Sequence, residues 1–334
     1  GLAREEATIE KMTAAIRAMG IDYVFDTDFS ADLTIMEEGS EFIERFTHKD
    51  KYKFPMFTSC CPGWIRFIKT QYPDMLENLS TAKSPHQMFG AIMKTYFAEK
   101  LGVDPSRLFV ISIMPCIAKK SECDIPVMQN ENGVRDVDLV LTTRELDRMI
   151  KAENIDVFTL TDSEFDRPFE AASGAGVIFG ATGGVMEAAL RSAYFLITGT
   201  NADADAFSGV RGMDGWKEAE FEINGLKVRA AVASGLGNAR RLIEAVRAGK
   251  VQYDFVEIMA CPGGCSGGGG QPIAFNKELA EERAENLYFL DKSAPLRFSH
   301  ENPDVKKLYE NFLGEPLSHK SHELLHTEYT SWKV

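Results

Sequence analysis

Residues 255–272 of this chain read Phe255-Val-Glu-Ile-Met-Ala-Cys261-Pro-Gly-Gly-Cys265-Ser-Gly-Gly-Gly-Gly-Gln-Pro272. The segment from Tyr253 to Ala260 is rich in apolar and β-branched residues, which predicts a strand. A glycine run costs backbone entropy on ordering, so it is favoured where backbone must approach a neighbour closely or point amides at an anion. Two cysteines beside such a run indicate a site for a bulky anionic metal cluster. The alternative, a flexible linker, is typically richer in serine and does not follow a buried strand.

The composition excludes several classes of function. The chain has 334 residues, enough for about two domains at roughly 150 residues each. Its hydrophobic content of 44% and charged content of 26% are ordinary for a globular protein. A net charge of −13 argues against nucleic acid as a partner, because no basic face would dominate. The sequence contains no run of 18 consecutive apolar residues, so it predicts no membrane span. The polar start, Gly1-Leu-Ala-Arg-Glu-Glu, does not read as a signal peptide, so a cytoplasmic location is expected.

Strands and helices alternate along the chain, which predicts an α/β fold with mostly parallel sheets. The predicted strands are 23–26, 54–59, 108–114, 137–141, 227–234 and 253–260. The predicted helices are 3–19, 33–46, 65–72, 84–101, 142–150, 185–193 and 237–248, followed by a polar, largely helical tail to Val334. The segment from Leu108 to Met114 reads as the most clearly buried strand.

The six cysteines are Cys60, Cys61, Cys116, Cys123, Cys261 and Cys265. They are too sparse for a disulfide scaffold, and they lack the paired spacing of structural zinc sites. Three predicted strands run directly into cysteines. Because ligands of parallel α/β sheets bind beyond the carboxyl ends of strands, these cysteines are expected to surround one site. Four thiolates are what a [4Fe–4S] cluster needs, although any one cysteine alone reads as a buried small apolar residue.

Three stretches resemble the signatures of the [FeFe]-hydrogenases, the iron-only hydrogenase family. They are Thr58-Ser-Cys-Cys-Pro-Gly-Trp64, Met114-Pro-Cys-Ile-Ala-Lys-Lys-Ser-Glu122 and residues 257–272, in the family's order and across almost the whole chain. The resemblance implies a reversible conversion of protons and electrons into H₂ at an H-cluster. That cofactor is a [4Fe–4S] cluster joined through a cysteine sulfur to a diiron subsite, which carries CO, cyanide and a bridging dithiolate. The implied fold has two lobes, each a mostly parallel sheet flanked by helices, with the metal cluster in the cleft between them and a helical C-terminal tail.

The resemblance also assigns the residues around the cofactor. The cluster ligands would be Cys61, Cys116, Cys261 and Cys265, and Cys265 would also bridge to the diiron subsite. Lys119 would donate a charged hydrogen bond to one cyanide. The remaining cofactor contacts would be Met114, Pro115, Phe179, Met259, Gly264 and Gln271. The two methionines read equally well as ordinary core residues. Phe179 lies in a glycine-rich stretch that hints at a dinucleotide site, but it occupies the third glycine position, which argues against NAD.

A proton relay is implied along Cys60, Glu38, Ser80, Glu41 and Arg45. Side chains of neighbouring extended residues point in opposite directions, so Cys60 and Cys61 cannot easily face one iron, and Cys60 is left as a proton-carrying thiol. Glu38, Glu41 and Arg45 are spaced by three and four residues, which places them on one helix face. Taken alone, that periodicity favours an ordinary solvated charged face.

The resemblance implies one H-cluster catalytic domain over residues 1–334. Its first lobe would span about 50–170 with the first two motifs, the second about 171–275 with the N-terminal helix, and the tail 276–334. The start of the domain and any accessory iron–sulfur domains are expected to lie outside this chain, and another chain could supply the missing segment. Only Cys123 is left over, so no accessory cluster is expected here. The expected partners are ferredoxin or a similar small electron carrier, maturation proteins, protons and H₂.

Two other functions stay open at this point. One is a non-catalytic iron–sulfur relative of the assembly or nuclear prelamin-recognition type. The presence of Cys60, Lys119, Glu122 and the Glu38/Glu41 pair argues against it. The other is an H₂ sensor with the same cofactor. In the tail, His319, His322 and His326 form a cluster, and the spacing of His322 and His326 could bind a metal on a helix face, although ordinary packing is the more typical role of such residues.

Overall fold

The computed structural model describes residues 8–130, 132–213, 215–275 and 277–330. Its α-helices are α1 (Ile9–Ala18), α2 (Asp28–Thr47), α3 (Pro62–Gln71), α4 (Pro85–Ile92), α5 (Ala98–Leu101), α6 (Ala118–Glu122), α7 (Thr143–Ala152), α8 (Gly174–Val177), α9 (Gly184–Thr198), α10 (Leu236–Arg247), α11 (Ala280–Ser293), α12 (Pro303–Leu308) and α13 (His319–Leu325). Its strands are β1 (Met56–Phe57), β2 (Ile111–Met114), β3 (Leu139–Thr142), β4 (Trp216–Ile223), β5 (Leu226–Ser234) and β6 (Phe255–Met259). The parts of the predicted first helix and tail at 3–7 and 331–334 lie outside the described residues.

Two sheets organise the described residues. The larger has the order β1-β6-β5-β4, with β1, β6 and β5 parallel and β4 antiparallel to β5. The smaller pairs β2 with β3 in parallel. One apolar cluster joins the large sheet to α2 and α9, and another joins it to α3 and α10, so helices cover both faces. The predicted α/β fold, with mostly parallel sheets flanked by helices, is confirmed.

The strand pairing shows which cysteine motifs share a sheet. Met56 of β1 is paired with Phe255 of β6, so the first and third cysteine motifs share the large sheet. Only the second motif stands on the small sheet. The predicted lobe over 50–170 therefore contains strands of both sheets, and the division into lobes stays a prediction. An apolar strand fits either sheet equally well, and a pairing across some two hundred residues leaves no local signal in the sequence.

Two predicted strands differ from the structure. Residues 23–26 form no strand, because the backbone N–H and C=O of Val24 bond to the carboxylate and the N–H of Asp166 in a facing loop. The predicted strand over 108–114 shortens to β2, and Phe109 is 68% exposed, so this stretch is an edge and not a buried core strand. The unpredicted β4 is joined to β5 by Asn224-Gly225, whose φ angles of 52° and 77° are typical of a tight hairpin turn.

Helix α2 is the central helix of the site. It contacts α4, α8 and α9 on different sides, and most of its length is buried. Its buried residues include four acidic side chains, Asp32, Glu37, Glu38 and Glu41. Carboxylates are rarely buried without a partner or a function, so this helix marks a polar site inside the core. Among the described residues, no helix is both long and apolar enough to span a bilayer.

Candidate metal centre

The carboxyl ends of β1, β2 and β6 bring four cysteines to one place. Cys61 is the N-cap of α3, shortly after β1, and Cys116 follows β2 by two residues. Cys261 and Cys265 lie in the loop after β6. The sulfur of Cys265 interacts electrostatically with the sulfurs of all three others. The structure therefore surrounds one site with the four predicted ligands, drawn from both sheets.

The spacing of these sulfurs distinguishes a cluster from a single ion. A tetrahedral zinc ion with Zn–S bonds of 2.3 Å holds its sulfurs about 3.8 Å apart. Among the described residues, no three cysteine sulfurs all lie within 4.8 Å of one another. The four thiols are thus close enough to interact and too far apart for one ion. This geometry fits a polynuclear cluster such as [4Fe–4S].

The glycine run after Cys265 makes close backbone contacts with the second motif. The N–H of Gly270 donates to the carbonyl of Pro115 at 3.0 Å. A Cβ atom on Gly268 would lie 2.1 Å from that same carbonyl oxygen, which no side chain tolerates. The side chain of Gln271 donates to the carbonyl of Cys265 at 3.3 Å and closes the loop. Close backbone approach, one of the two predicted reasons for the glycines, is therefore observed.

The electrostatics of the cysteines favour a cationic occupant. Burial raises the pKa of Cys61 to about 11, and burial together with the neighbouring sulfurs raises the pKa of Cys265 to about 12. Four thiolates cannot be held together here without positive charge. Iron binding supplies that charge and displaces the protons. The donor set therefore fits the cofactor that the sequence predicts.

Lys119 is held as a buried cation beside Cys60. Its Nζ lies 3.3 Å from Oε2 of Glu122 and 3.5 Å from the carbonyl oxygen of Cys60. Burial opposes its charge, but Glu122 and the nearby cysteine sulfurs outweigh burial and raise the pKa of Lys119. Nε2 of His86 contacts the same Glu122 oxygen at 2.6 Å, and burial lowers the pKa of His86 to about 4. A neutral His86 therefore donates to Glu122, which carries the charge that balances Lys119.

The predicted relay residues are buried, which rules out the solvated charged face that periodicity alone favoured. Glu38 is 0%, Glu41 7% and Arg45 5% exposed. Ser80 Oγ donates to Glu41 Oε2 at 2.8 Å, and Arg45 Nη2 donates to Glu41 Oε1 at 2.5 Å. Glu38 accepts from the N–H of Ser59 at 3.2 Å through Oε1.

The inner end of this acidic chain reaches Cys60. Glu38 interacts electrostatically with the Cys60 thiol, which is 8% exposed. The other carboxylate oxygen of Glu38, Oε2, has no partner among the described residues. Burial, with the charge of Glu38 next, raises the pKa of Cys60 well above its usual range. A neutral thiol therefore stands at the inner end of a chain of buried polar groups that ends at Arg45.

The pH dependence of unfolding tests the state of Glu38. Burial, followed by the charge of Glu41, raises the pKa of Glu38 from 4.5 to about 8. Between these values the folded, cluster-free protein holds a proton that the unfolded chain has released. The free energy of unfolding therefore falls as pH rises, by up to about 1.4 kcal/mol per pH unit. We expect Glu38→Gln to remove this contribution between about pH 5 and pH 7.5, as measured by urea unfolding at several pH values.

A second buried carboxyl provides the internal reference for that experiment. Burial raises the pKa of Glu257 to about 7, and its carboxyl accepts from the N–H groups of Gly183 and Met186 at 2.7 Å each. Glu257 contributes a slope of the same sign in both proteins, so the difference between them isolates Glu38. Equal slopes would mean that Glu38 is already ionised in the folded protein.

The remaining predicted contacts fall into two groups. Met259 and Cys60 belong to one apolar cluster, against which Phe179 packs. Met114 packs on a different cluster that contains Cys123 and Val140. Gly264 has a φ of 74°, and a Cβ there would lie 2.9 Å from the nitrogen of Thr182, so only glycine fits.

Sequence reasoning missed His86 and Glu257 as members of the site. A charged residue inside a fully buried strand was the available signal for Glu257. His86 had none, because its partners Ser112 and Glu122 are distant in the sequence. Beside His86, Ser84 Oγ and Gln87 Oε1 are buried without a hydrogen-bond partner among the described residues. Such atoms are usually satisfied by a water or a ligand.

The tail histidines do not form a metal site. Nδ1 of His326 lies 2.8 Å from Thr81 Oγ1 and its Nε2 lies 3.0 Å from Glu37 Oε2, so both ring nitrogens are engaged. The rings of His322 and His326 contact each other at a tilt of 41°, with centroids 4.5 Å apart. Among the described residues, the groups with metal-like spacing contain no histidine.

Comparisons with known proteins agree with the geometry. The family described as "Iron only hydrogenase large subunit, C-terminal domain" matches residues 1–269, and "Iron hydrogenase small subunit" matches 277–332. The NADP-reducing hydrogenase subunit HndD of Solidesulfovibrio fructosivorans is 53% identical over 98% of this chain and 57% of its own length. This chain thus spans little more than half of that relative.

Two further relatives bear on the function. The structure of an apo [FeFe]-hydrogenase HydA1 variant from Chlamydomonas reinhardtii aligns with a TM-score of 0.88 at 46% identity, over 100% of this chain and 90% of that one. The cytosolic Fe-S cluster assembly factor narfl of Xenopus tropicalis is 34% identical over 96% of this chain and 69% of its own length. Relatives of both kinds therefore share the fold across nearly the whole chain.

Proposed function

This chain belongs to the iron-only hydrogenase family, and we propose that it catalyses the reversible formation of H₂ from protons and electrons at an H-cluster. The observation that carries the proposal is the meeting of two features at Cys60. Four partly buried cysteines fit a [4Fe–4S] cluster on one side, and a series of buried polar side chains extends from Cys60 to Arg45 on the other. A protein that only stores or transfers iron has no need of the second feature. When bound, the cofactor would supply the redox chemistry and the site for H₂.

The side chains have distinct roles in this proposal. Cys61, Cys116, Cys261 and Cys265 hold the cluster. Lys119, kept charged by Glu122, would donate to an anionic ligand of the diiron subsite. Met114, Pro115, Phe179, Met259, Gly264 and Gln271 shape the cavity around it. Exclusion of water by these groups strengthens every charged interaction inside.

Proton movement is assigned to the chain's own polar groups. The Cys60 thiol holds a proton at the inner end, because its burial disfavours the thiolate. Glu38, neutral at pH 7 with a pKa of about 8, passes protons between Cys60 and the outer groups. Ser80 acts on both carboxyls: its hydroxyl donates to Glu41 Oε2, and its side chain counteracts the rise in the pKa of Glu38 that burial causes. Arg45 balances the charge of Glu41 at the outer end.

The same reading assigns partners and organisation. We propose one catalytic domain across the chain, electron entry from ferredoxin or a similar small carrier, and loading of the diiron subsite by maturation proteins. The site for electron entry is the side of Cys116, where the next residue, Ile117, is 55% exposed. A cytoplasmic location accords with the cytosolic relative.

A second candidate is a non-catalytic iron–sulfur protein. The observation in its favour is the 34% identity to an assembly factor across nearly the whole chain. That function needs the four cysteines but no proton relay. The buried chain from Cys60 to Arg45 favours the enzyme, since an idle buried carboxyl destabilises the fold at neutral pH.

Turnover of the loaded protein separates the two candidates. The protein is reconstituted anaerobically with iron and sulfide and then treated with a synthetic diiron dithiolate complex. We expect H₂ evolution from a reduced viologen dye and H₂-dependent dye reduction in the reverse assay. The reconstituted protein before diiron treatment is the control and should be inactive. A protein that binds the diiron complex and evolves no H₂ would contradict the proposal.

A further inference from the structure

The C-terminal tail, residues 277–330, contributes a buried contact to the helix that carries the relay. Glu37 is the residue before Glu38 on α2, and a step of one residue turns a helix by about 100°, so its side chain faces the tail and not Cys60. It is 0% exposed. Tyr309 Oη donates to Glu37 Oε1 at 2.5 Å, and the N–H of Leu317 donates to Oε2 at 2.9 Å. Leu317 has a φ of 61°, a conformation rare for leucine, so the backbone of the tail is strained where it makes this contact.

His326 joins this contact to the segment that follows Ser80. Its Nε2 lies 3.0 Å from Glu37 Oε2, and its Nδ1 lies 2.8 Å from the hydroxyl of Thr81. A carboxylate only accepts hydrogen bonds, so Nε2 carries the proton and donates. In the neutral ring Nδ1 then accepts, and the Thr81 hydroxyl donates to it. This arrangement fixes both the tautomer of His326 and the rotamer of Thr81.

Thr81 in turn holds Glu41. Its backbone N–H donates to both carboxylate oxygens of Glu41, at 3.1 and 3.0 Å. The tail pairs alongside, because the N–H of Thr327 donates to the carbonyl of Thr81 and the N–H of Lys83 donates to the carbonyl of Leu325, both at 2.8 Å. The chain of contacts from the tail to Glu41 is therefore continuous.

The hydrogen bond from the Thr81 N–H to Glu41 determines whether these contacts can carry a proton. A peptide N–H donates a hydrogen bond but does not pass on its proton, so no proton travels from His326 to Glu41. The contacts can only set where Glu41 stands relative to Ser80 and Arg45. We propose that His326 is a positioning residue for the proton relay, acting through the Thr81 hydroxyl to aim the Thr81 N–H at Glu41. The proposal deepens the proposed function and rests on it. In this arrangement the segment that matches the small subunit completes the relay of the segment that matches the large one.

The test uses small changes in the full-length, cofactor-loaded protein. Thr81→Val removes the hydroxyl and keeps the backbone N–H, while His326→Gln keeps a donor to Glu37 and removes the acceptor for Thr81. Each is expected to lower H₂ turnover about fivefold, the equivalent of one hydrogen bond. The double variant should be no slower than either single variant, because both break the same link. Thr81→Ser, which restores the hydroxyl, should recover the rate, and the exposed His322→Gln should leave it unchanged.

A spectroscopic readout makes the test independent of turnover. The acid-minus-neutral infrared difference spectrum contains the carbonyl band of protonated Glu41, assigned by its loss in Glu41→Gln. The band should shift in Thr81→Val and in His326→Gln and stay in place in His322→Gln, while the CO and cyanide bands of the cofactor do not move. A lower melting temperature with an unmoved Glu41 band would overturn the proposal, because the contact would then only anchor the tail. Wild-type protein without turnover would refute the proposed function instead, and the band would still decide the positioning role.

Discussion

Cys60→Ala is expected to lower H₂ turnover by about 10²- to 10⁴-fold, the usual contribution of a positioned proton donor. The thiol stands between the metal site and Glu38, and its burial keeps the proton on sulfur. Without it the relay ends at Glu38, one side chain short of the site. The iron content should not change, because the four ligands are other cysteines. The measurement is the viologen-driven H₂ evolution rate per loaded diiron subsite.

The matched control for this variant is Cys123→Ala. Cys123 is also buried and not a ligand, and its sulfur lies between the side chain of Gln87 at 3.3 Å and the carbonyl of Lys119 at 3.4 Å. Its loss should reduce stability modestly and leave turnover within about twofold, as expected for a residue that only packs. If Cys60→Ala and Cys123→Ala had equal turnover, Cys60 would have no role in proton transfer.

Cys116→Ala is expected to abolish cluster binding. Reconstituted wild-type protein should hold about four iron atoms per chain before diiron loading, and the variant far fewer, because it lacks one of the four thiolates that hold the cluster. Cys116 is the ligand that the small sheet supplies, so its loss also removes the metal bridge between the two sheets. A ligand that binds only the folded state stabilises it, so the melting temperature should rise on reconstitution in wild type and not in the variant.

The control for iron binding is Cys60→Ala, which should retain the full iron content. Together the two variants assign different roles to cysteines that the sequence alone cannot separate. Full iron content in Cys116→Ala would show that the ligand set includes Cys60 or Cys123. That result would contradict both the assignment of the cluster and the role of Cys60 as a proton carrier.

Residues 255–272 show how far the sequence predicts this site. The apolar run before Cys261 predicted β6, and the glycines predicted close backbone contact, because both depend on local properties of the chain. The common site was predicted because three strands each run into cysteines, which is also a local property of the chain. The spacing of Glu38, Glu41 and Arg45 gave their shared face correctly but favoured solvent around it, because a periodic pattern does not show what packs on it.

The parts that were not predicted depend on contacts between distant segments. The pairing of β1 with β6 joins residues some two hundred positions apart, and either sheet would accept an apolar strand. His86 reaches Glu122 from another helix, and Glu37 is paired by the tail. The partners of Glu122 and Glu37 are polar, buried and far away from them in the sequence. Such pairs are specified by tertiary packing and not by propensity or periodicity.

The proposal that this protein holds a diiron subsite with CO and cyanide ligands is tested most directly by an infrared spectrum of the loaded protein, recorded between the amide and the C–H stretching regions. Bound CO and cyanide absorb there, where no protein group does. We expect sharp bands after treatment of the [4Fe–4S]-containing protein with the diiron complex, and no such bands in Cys116→Ala. A protein that holds its iron and sulfide but shows no bands after treatment would contradict the account, because its site would then hold the [4Fe–4S] cluster alone.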